Sequence, residues 1–416
     1  VLSPVFPDAP SDGDRLRLYH WLEALGERHE VHLACFIDPL RRADLGASAL
    51  GTRLRSVHKV PWSRWRRRWA AGLRLLGPLP AGVSALTSKK MRILVDGLLT
   101  GDATDGFAKK KAPFDAVLSY RLKMAPYALR FKGPRFLDFT DSMTRYTERR
   151  AVDLALHRRP LKAVFARIQA ARLAGYEAWC AGQFDVGFFN ATQDCEAMQA
   201  MHPAAVASLK IAANGVDVGG LRRVQSRRTS SGPKDSVCEL LFIGHLAYPP
   251  NIDAVEWFAR KVLPLVQARI AQAVFTVVGG DAAPGLLALA SFPGVRFVGF
   301  ASDIRPYLSR AALSVCPVRT GAGRQNKLLE AFAAGLPAVG TSLAAEGAQA
   351  HDQEHMLIAD GPEAFANAVV RLMEQPELGL RLAEQAQDLV RRLYVWPTNA
   401  AILEDAMLSV TRRCLW

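Results

Sequence analysis

Lys327 and Glu330 stand three residues apart, so within a helix a cation and a carboxylate share one face. They belong to the run Pro317 to Ser342, PVRTGAGRQNKLLEAFAAGLPAVGTS. It starts where the apolar stretch through Leu313 and Val315 ends, crosses a loop at Gly321 and Gly323, and continues with Leu328, Leu329, Phe332 and Ala333 at helical spacing. Gly335 and Pro337 close that helix. A loop that opens a helix leaves backbone N–H groups unpaired and aimed at one spot, where the helix dipole adds partial positive charge. Such a spot takes an anion. A nucleoside diphosphate would use all of it, with the lysine and N–H groups on the phosphates and the carboxylate on the ribose hydroxyls. A helix N-terminus carrying a solvated Lys/Glu pair has the same pattern, and spacing alone leaves both readings open.

The elements that position these residues read as strands alternating with helices. Val1 to Val5 is a strand, trimmed at its start rather than a signal peptide. A helix with Leu16, Tyr19, Leu22 and Leu25 on its apolar face follows, and then the strand His29 to Ile37. Ser56 to Val60, Phe114 to Tyr120, Pro134 to Asp141 and Phe184 to Asn190 are further strands. Leu154 to Cys180 reads as one long helix with Pro160 as its weak point; Arg158, Arg159, Lys162, Arg167 and Arg172 give it the composition of a solvated face. The second half repeats the alternation: strand Leu240 to Gly244, helix Asp253 to Val266, strands Val274 to Gly279 and Val295 to Phe300. The pattern predicts an α/β protein with parallel, doubly wound sheets, whose chemistry sits at strand ends. Tyr120, Arg121, Asp138 and Asp141 are candidates on that ground, with turn or cap carboxylates as the plainer reading of the two aspartates.

At 416 residues the length fits two domains of about 200 each. Half of the residues are apolar and 22% charged, enough for packed cores. Six scattered cysteines without a C-x-x-C read as reduced structural thiols in a cytoplasmic protein. No apolar run is long enough to span a bilayer. The formal charge of +14 attracts an anionic surface. Trp62 to Trp69 holds three tryptophans and four arginines, which fits a surface helix at lipid headgroups, a stacking face for single-stranded nucleic acid, or a packed basic helix. No nucleic-acid module accompanies the charge, so nucleic acid is set aside. Gly279-Gly280 lacks the rest of a dinucleotide fingerprint, and His351 and His355 in H-D-Q-E-H lack zinc-helix spacing, so no metal is expected.

The run from Arg319 through Gln325, Asn326, Lys327, Leu329, Glu330 and Ala331 resembles the nucleotide-sugar signature of GT-B glycosyltransferases of retaining family 4, closest to the branch associated with exosortase (PEP-CTERM) exopolysaccharide systems. The resemblance implies two Rossmann-like domains facing a cleft. The acceptor domain would be residues 1–212, joined by a C-terminal helix over 398–416; the donor domain would be 213–397. Ile211 to Asp217 is similar to the family's N-G-V-D element at the handover between domains, and 219–236 reads as a flexible connector.

On this resemblance the donor is held by Arg319, Gly321, Gly323, Arg324, Asn326, Lys327, Glu330, Gly244, His245, Asn214 and Gly215. Lys327, Glu330 and Asp141 are the catalytic candidates, and Gly13, Asp14, Arg17, Tyr120, Arg121 and Asp138 form the acceptor side. Two departures stand out: Ala322 occupies the place of a glutamate eight residues before Glu330, and His245 replaces an arginine that grips the diphosphate. The implied activity is transfer of a sugar from a nucleotide diphosphate sugar to a lipid-linked glycan in exopolysaccharide or envelope synthesis, with retention and without a cofactor. It would take place at the inner face of the cytoplasmic membrane, reached through Trp62 to Trp69. The alternative is a non-catalytic protein on the same scaffold that binds anionic lipid or glycan.

Overall fold

The computed structural model describes residues 1–7, 13–39, 49–62, 77, 79–100, 114–156, 159–221, 238–321 and 325–414. The chain divides into two compact units, Val1–Ala213 with Pro397–Trp416, and Asn214–Trp396.

Unit 1 is built on a seven-stranded sheet: β1 (Leu2–Ser3), β2 (Val31–Ile37), β3 (Leu54–Pro61), β4 (Val117–Tyr120), β5 (Arg135–Thr140), β6 (Val186–Phe189) and β7 (Leu209–Ile211). Their order is β3-β2-β1-β4-β5-β6-β7, and every pair is parallel. Parallel strands need crossovers, and helices supply them on faces that bury continuous apolar runs. Chain order reverses between β1 and β4, so the carboxyl ends of these strands flank the crevice where such sheets bind ligands.

The first helix, Gly13–Gly26, turns Arg17, Leu18, Trp21, Leu22 and Leu25 inward. Leu16 and Tyr19, expected on the apolar face, are only half-buried. Arg17 sets the rotation. Its Nε and Nη2 donate to Asp138 at 2.7 and 3.1 Å, both side chains are fully buried, and Trp21 Nε1 donates to the same carboxylate at 2.8 Å.

The long helix expected over Leu154 to Cys180 is two, Met143–Leu156 and Pro160–Ala181, with Pro160 at the start of the second. Proline lacks the N–H that a continuous helix would need but fits a first turn, where that donor is spare. Glu177, buried in the second helix, receives the Met143 N–H at 2.7 Å and the Thr144 hydroxyl at 2.6 Å, closing the start of the first.

Unit 2 holds a six-stranded parallel sheet: β8 (Cys238–Ile243), β9 (Ala273–Val278), β10 (Val295–Gly299), β11 (Leu313–Cys316), β12 (Ala338–Gly340) and β13 (Leu357–Ile358), in the order β10-β9-β8-β11-β12-β13. The crevice here lies past the carboxyl ends of β8 and β11. The helix after β8 starts at Pro249, four residues ahead of the expected Asp253. It opens into a π turn at Phe258–Val262 just before Pro264, where a proline ring clashes with the carbonyl four residues back. Cys35, Cys180, Cys195, Cys238 and Cys316 are buried free thiols.

Candidate functional site

In unit 2, β11 ends at Cys316 and the chain runs through Arg319 and Gly321 to the helix Asn326–Ala333. Leu328, Leu329, Ala331, Phe332 and Ala333 bury one face of that helix. Gly335, at φ +65°, ends it: its N–H bonds the Phe332 carbonyl while the Leu336 N–H reaches back to Ala331, a Schellman closure that favours glycine. At the other end the Gln325 side chain makes no cap and its carbonyl takes the Leu328 N–H at 2.9 Å, so among the described residues the Asn326 and Lys327 N–H groups remain for a ligand.

Lys327 Nζ donates to Asn251 Oδ1 at 2.8 Å and to Gln325 Oε1 at 3.1 Å, and lies 5.0 Å from the centre of the Phe242 ring. An ammonium has three donors, and one is left to meet an anion. Asn251 Nδ2 donates to the His245 carbonyl at 2.9 Å. One amide thereby ties the loop after β8 to the lysine after β11. Burial lowers the Lys327 pKa, with Cys316 and Glu330 opposing. Burial pushes the Glu330 carboxyl up to about 7 against the pull of Lys327. No described side chain donates a hydrogen bond to Glu330, so its oxygens are open to hydroxyl donors.

Glycines let the loops close in. Gly321 has φ +108°, and a Cβ there would stand 3.2 Å from Pro250 and 3.6 Å from the Tyr248 hydroxyl. A Cβ on Gly279 would lie 1.8 Å from the Gly244 carbonyl oxygen. Gly279 therefore serves the packing of the loop after β9 on the loop after β8. Gly215 abuts the Trp396 backbone, 2.4 Å from where a Cβ would sit. Asn214, buried beside it, donates to Asn326 Oδ1 at 3.4 Å. Asn214, Gly244, Asn326, Lys327 and Glu330 are thus drawn around the same two strand ends.

Other candidates are engaged elsewhere. Arg319 forms a two-pronged ion pair with Asp253 and lies over the Trp257 ring at 5.2 Å. His245 Nε2 pairs with Asp281 Oδ2 at 2.9 Å. Ala322, Gly323 and Arg324 lie outside the described residues. His355 is buried with Nδ1 accepting from the His351 N–H at 3.1 Å, and among the described residues no three His, Cys, Asp or Glu side chains group for a metal.

In unit 1, Tyr120, Arg121, Asp138 and Asp141 do fall at the ends of β4 and β5. Asp138 and Arg17 are sealed against each other, so they hold the strand end rather than reach a ligand. The Asp138 carboxylate also receives the Thr140 N–H at 2.8 Å, and the Asp138 carbonyl receives the Arg121 N–H at 2.8 Å. Thr140 and Arg121 take φ of 68° and 69°, left-handed values that side chains usually avoid, and these bonds hold them there. Asp141 is half-buried and accepts from Asn190 Nδ2 at 3.3 Å. Tyr120 is fully buried. Gly13 and Asp14 open the first helix. Trp62 packs inward, its Nε1 donating to the Ala85 carbonyl at 3.1 Å, while 63–69 lie outside the described residues.

Asn251 and Tyr248 escaped the sequence reading, while Gln325 was named only within the signature and Asp253 only as a helix start. The only hint was Pro249-Pro250-Asn251, a helix start whose polar first-turn residue falls on the ligand side.

Comparison with known proteins adds the class. Two parallel sheets in this order make a GT-B fold, and solved structures agree along the whole chain. HepE of Anabaena in complex with UDP has a TM-score of 0.64 at 14% identity, covering 98% of this chain and 99% of that one. Sucrose-phosphate synthase of Thermosynechococcus elongatus has a TM-score of 0.69 at 15% identity, covering 99% of both. Residues 238–375 match the family described as Glycosyl transferases group 1. An uncharacterized 44.6 kDa protein in the cps region of Klebsiella pneumoniae is 26% identical over 142 residues, 32% of this chain and 36% of that protein. The match thus spans about a third of that relative, and it is the match of 238–375 to glycosyl transferases group 1 that supports sugar transfer as the class of activity.

Proposed function

We propose that this chain is a retaining glycosyltransferase of family 4 type that moves a sugar from a nucleotide diphosphate sugar to a lipid-linked glycan acceptor, in exopolysaccharide or envelope synthesis. The observation that carries it is Lys327, pinned by Asn251 beside an uncapped helix start and an open Glu330, inside a stretch that matches glycosyl transferases group 1. HepE binds UDP and UDP-glucose in its solved complexes, which supports a nucleotide sugar as donor here. In this reading Glu330 takes the ribose hydroxyls, and Lys327 with the first-turn N–H groups takes the diphosphate. As the bond from the anomeric carbon to the phosphate oxygen breaks, charge grows on that oxygen next to the lysine. The acceptor oxygen bonds the same face of the carbon, and its proton passes to the departing phosphate. No metal is assigned a part. The polybasic Trp62 to Trp69 segment, apart from Trp62 itself, which packs inward, is read as an attachment to the inner face of the cytoplasmic membrane.

The test is release of nucleoside diphosphate from a panel of sugar nucleotides with a lipid-linked acceptor, which should occur for one donor and require the acceptor. A second reading, a binding protein without turnover, is favoured by Ala322 and by the pairing of His245 with Asp281. Nucleotide binding without release under any donor would select it.

A further inference from the structure

The helix Pro160–Ala181 turns Ala163, Ala166, Gln169, Ala170, Leu173, Tyr176 and Glu177 into unit 1. Its opposite face is apolar as well. Leu161 is 86% exposed, and Val164, Phe165, Ile168 and Trp179 are between 46% and 54% exposed. These recur at the three- and four-residue steps that align side chains along one face, over about 27 Å at 1.5 Å per residue. Arg172 falls on the same line and turns aside to the Leu79 carbonyl at 2.9 Å. Exposed Lys162 and Arg167 flank the stripe on its two sides and exposed Arg159 stands at the N-cap, and none of the three is in an ion pair among the described residues. The helix has one carboxylate, Glu177, and it is buried.

We propose that this face docks the protein flat onto an anionic phospholipid surface. A solvated helix has no reason to expose four aliphatic or phenyl side chains side by side over two turns, with an indole further along the same line, since apolar patches of this kind mark contact sites. The charge selects the occupant. Three cations without a counter-ion among the described residues, two of them flanking an apolar stripe, match a layer of acidic headgroups over acyl chains, the arrangement of helices that lie in the membrane plane. A second copy of the chain would set Arg159, Lys162 and Arg167 against their own like, with no exposed carboxylate on either helix to offset them. The contact is at the surface, for no described helix is long and apolar enough to cross a membrane. The inference stands on unit 1 alone and is independent of sugar transfer.

The experiment is flotation of the full chain with vesicles of phosphatidylcholine mixed with phosphatidylglycerol, against phosphatidylcholine alone. The expected result is flotation with the mixed vesicles only, reduced about tenfold or more by Leu161→Gln/Phe165→Gln/Ile168→Gln and weakened by salt or by Lys162→Gln/Arg167→Gln. Trp179 reads the face directly: its emission, taken as the difference from Trp179→Phe, should shift to the blue on the mixed vesicles. Should the triple variant unfold at a lower temperature than the parent, the charge variant and the Trp179 shift decide. Undiminished flotation of a folded triple variant, or equal flotation with neutral vesicles, overturns the proposal. So does a parent dimer in light scattering that the triple variant converts to monomer, which assigns the face to a second copy.

Discussion

Lys327 Nζ and Asn251 Oδ1, 76 residues apart in the chain, meet at 2.8 Å, and the same amide holds the His245 carbonyl with its nitrogen. The cation of the candidate site is therefore aimed by a residue from another crossover. Asn251→Ala should free both Lys327 and the loop after β8, weakening nucleoside diphosphate binding by about 1–3 kcal/mol, the cost of a buried polar group losing its partner. Calorimetry checks this; unchanged affinity would mean that the lysine needs no anchor.

Lys327→Ala should depress turnover more than donor affinity, because the diphosphate gains charge only as it leaves. A loss of roughly 10²–10³ in kcat is the scale for removing one such donor. Equal losses in kcat/KM and in binding would reduce the lysine to a ground-state anchor.

Burial holds the Glu330 carboxyl at about 7, so it is neutral below that pH and charged above it. Ribose hydroxyls donate more strongly to the charged form, and nucleotide affinity should rise between about pH 6 and pH 8. Stability runs the other way. The folded carboxyl keeps its proton more tightly than the unfolded one, so its contribution is full below the ordinary value of 4.5 and lost as pH rises through about 7. Glu330→Gln should flatten both profiles, as titration calorimetry and thermal unfolding across that range would show.

Exhaustive chelation should leave sugar transfer intact, since Lys327 and backbone N–H groups are assigned the leaving charge. Activity lost to EDTA and regained with manganese would return Asp141, or an acidic group outside the described residues, as a ligand.

Asp138→Ala should destabilise unit 1 by about 3–5 kcal/mol, because it strands the Arg17 guanidinium in a dry interior. Denaturant unfolding followed by circular dichroism measures it, and a loss under about 1 kcal/mol would mean that water enters to solvate the arginine.

What the sequence revealed was what local patterns encode. The strands β5, β8, β9 and β10, and the helix that starts at Asn326, follow from apolar runs and helical spacing interrupted by glycine and proline. The loop, lysine and carboxylate of the candidate site were legible because they lie within one short segment. Pairings between segments were not. Nothing in Arg17 marks it for Asp138, 121 residues on, and without that pair the first helix is read with Leu16 and Tyr19 inward where Arg17, Leu18 and Trp21 are buried. Asn251 was passed over for the same reason. The exposed stripe on Pro160–Ala181 was hidden differently: with apolar residues on both faces the helix shows little amphipathic contrast, and its cations give it the composition of a solvated face.

Unit 1 is not contiguous in the chain. Its closing helix, Trp396–Cys414, brings Glu404 to Arg28 and His29 at 2.6 and 2.8 Å, and Asn399 to the Ala213 N–H at 2.9 Å. The stretch that makes unit 2 lies between. During synthesis, residues 214–396 leave the ribosome as a complete set while unit 1, although begun first, still lacks the helix that satisfies a nearly buried carboxylate's partners. Domains fold as units once their chain is available. The half that carries the candidate site is thus in a position to finish first, and the half begun earlier must wait for it.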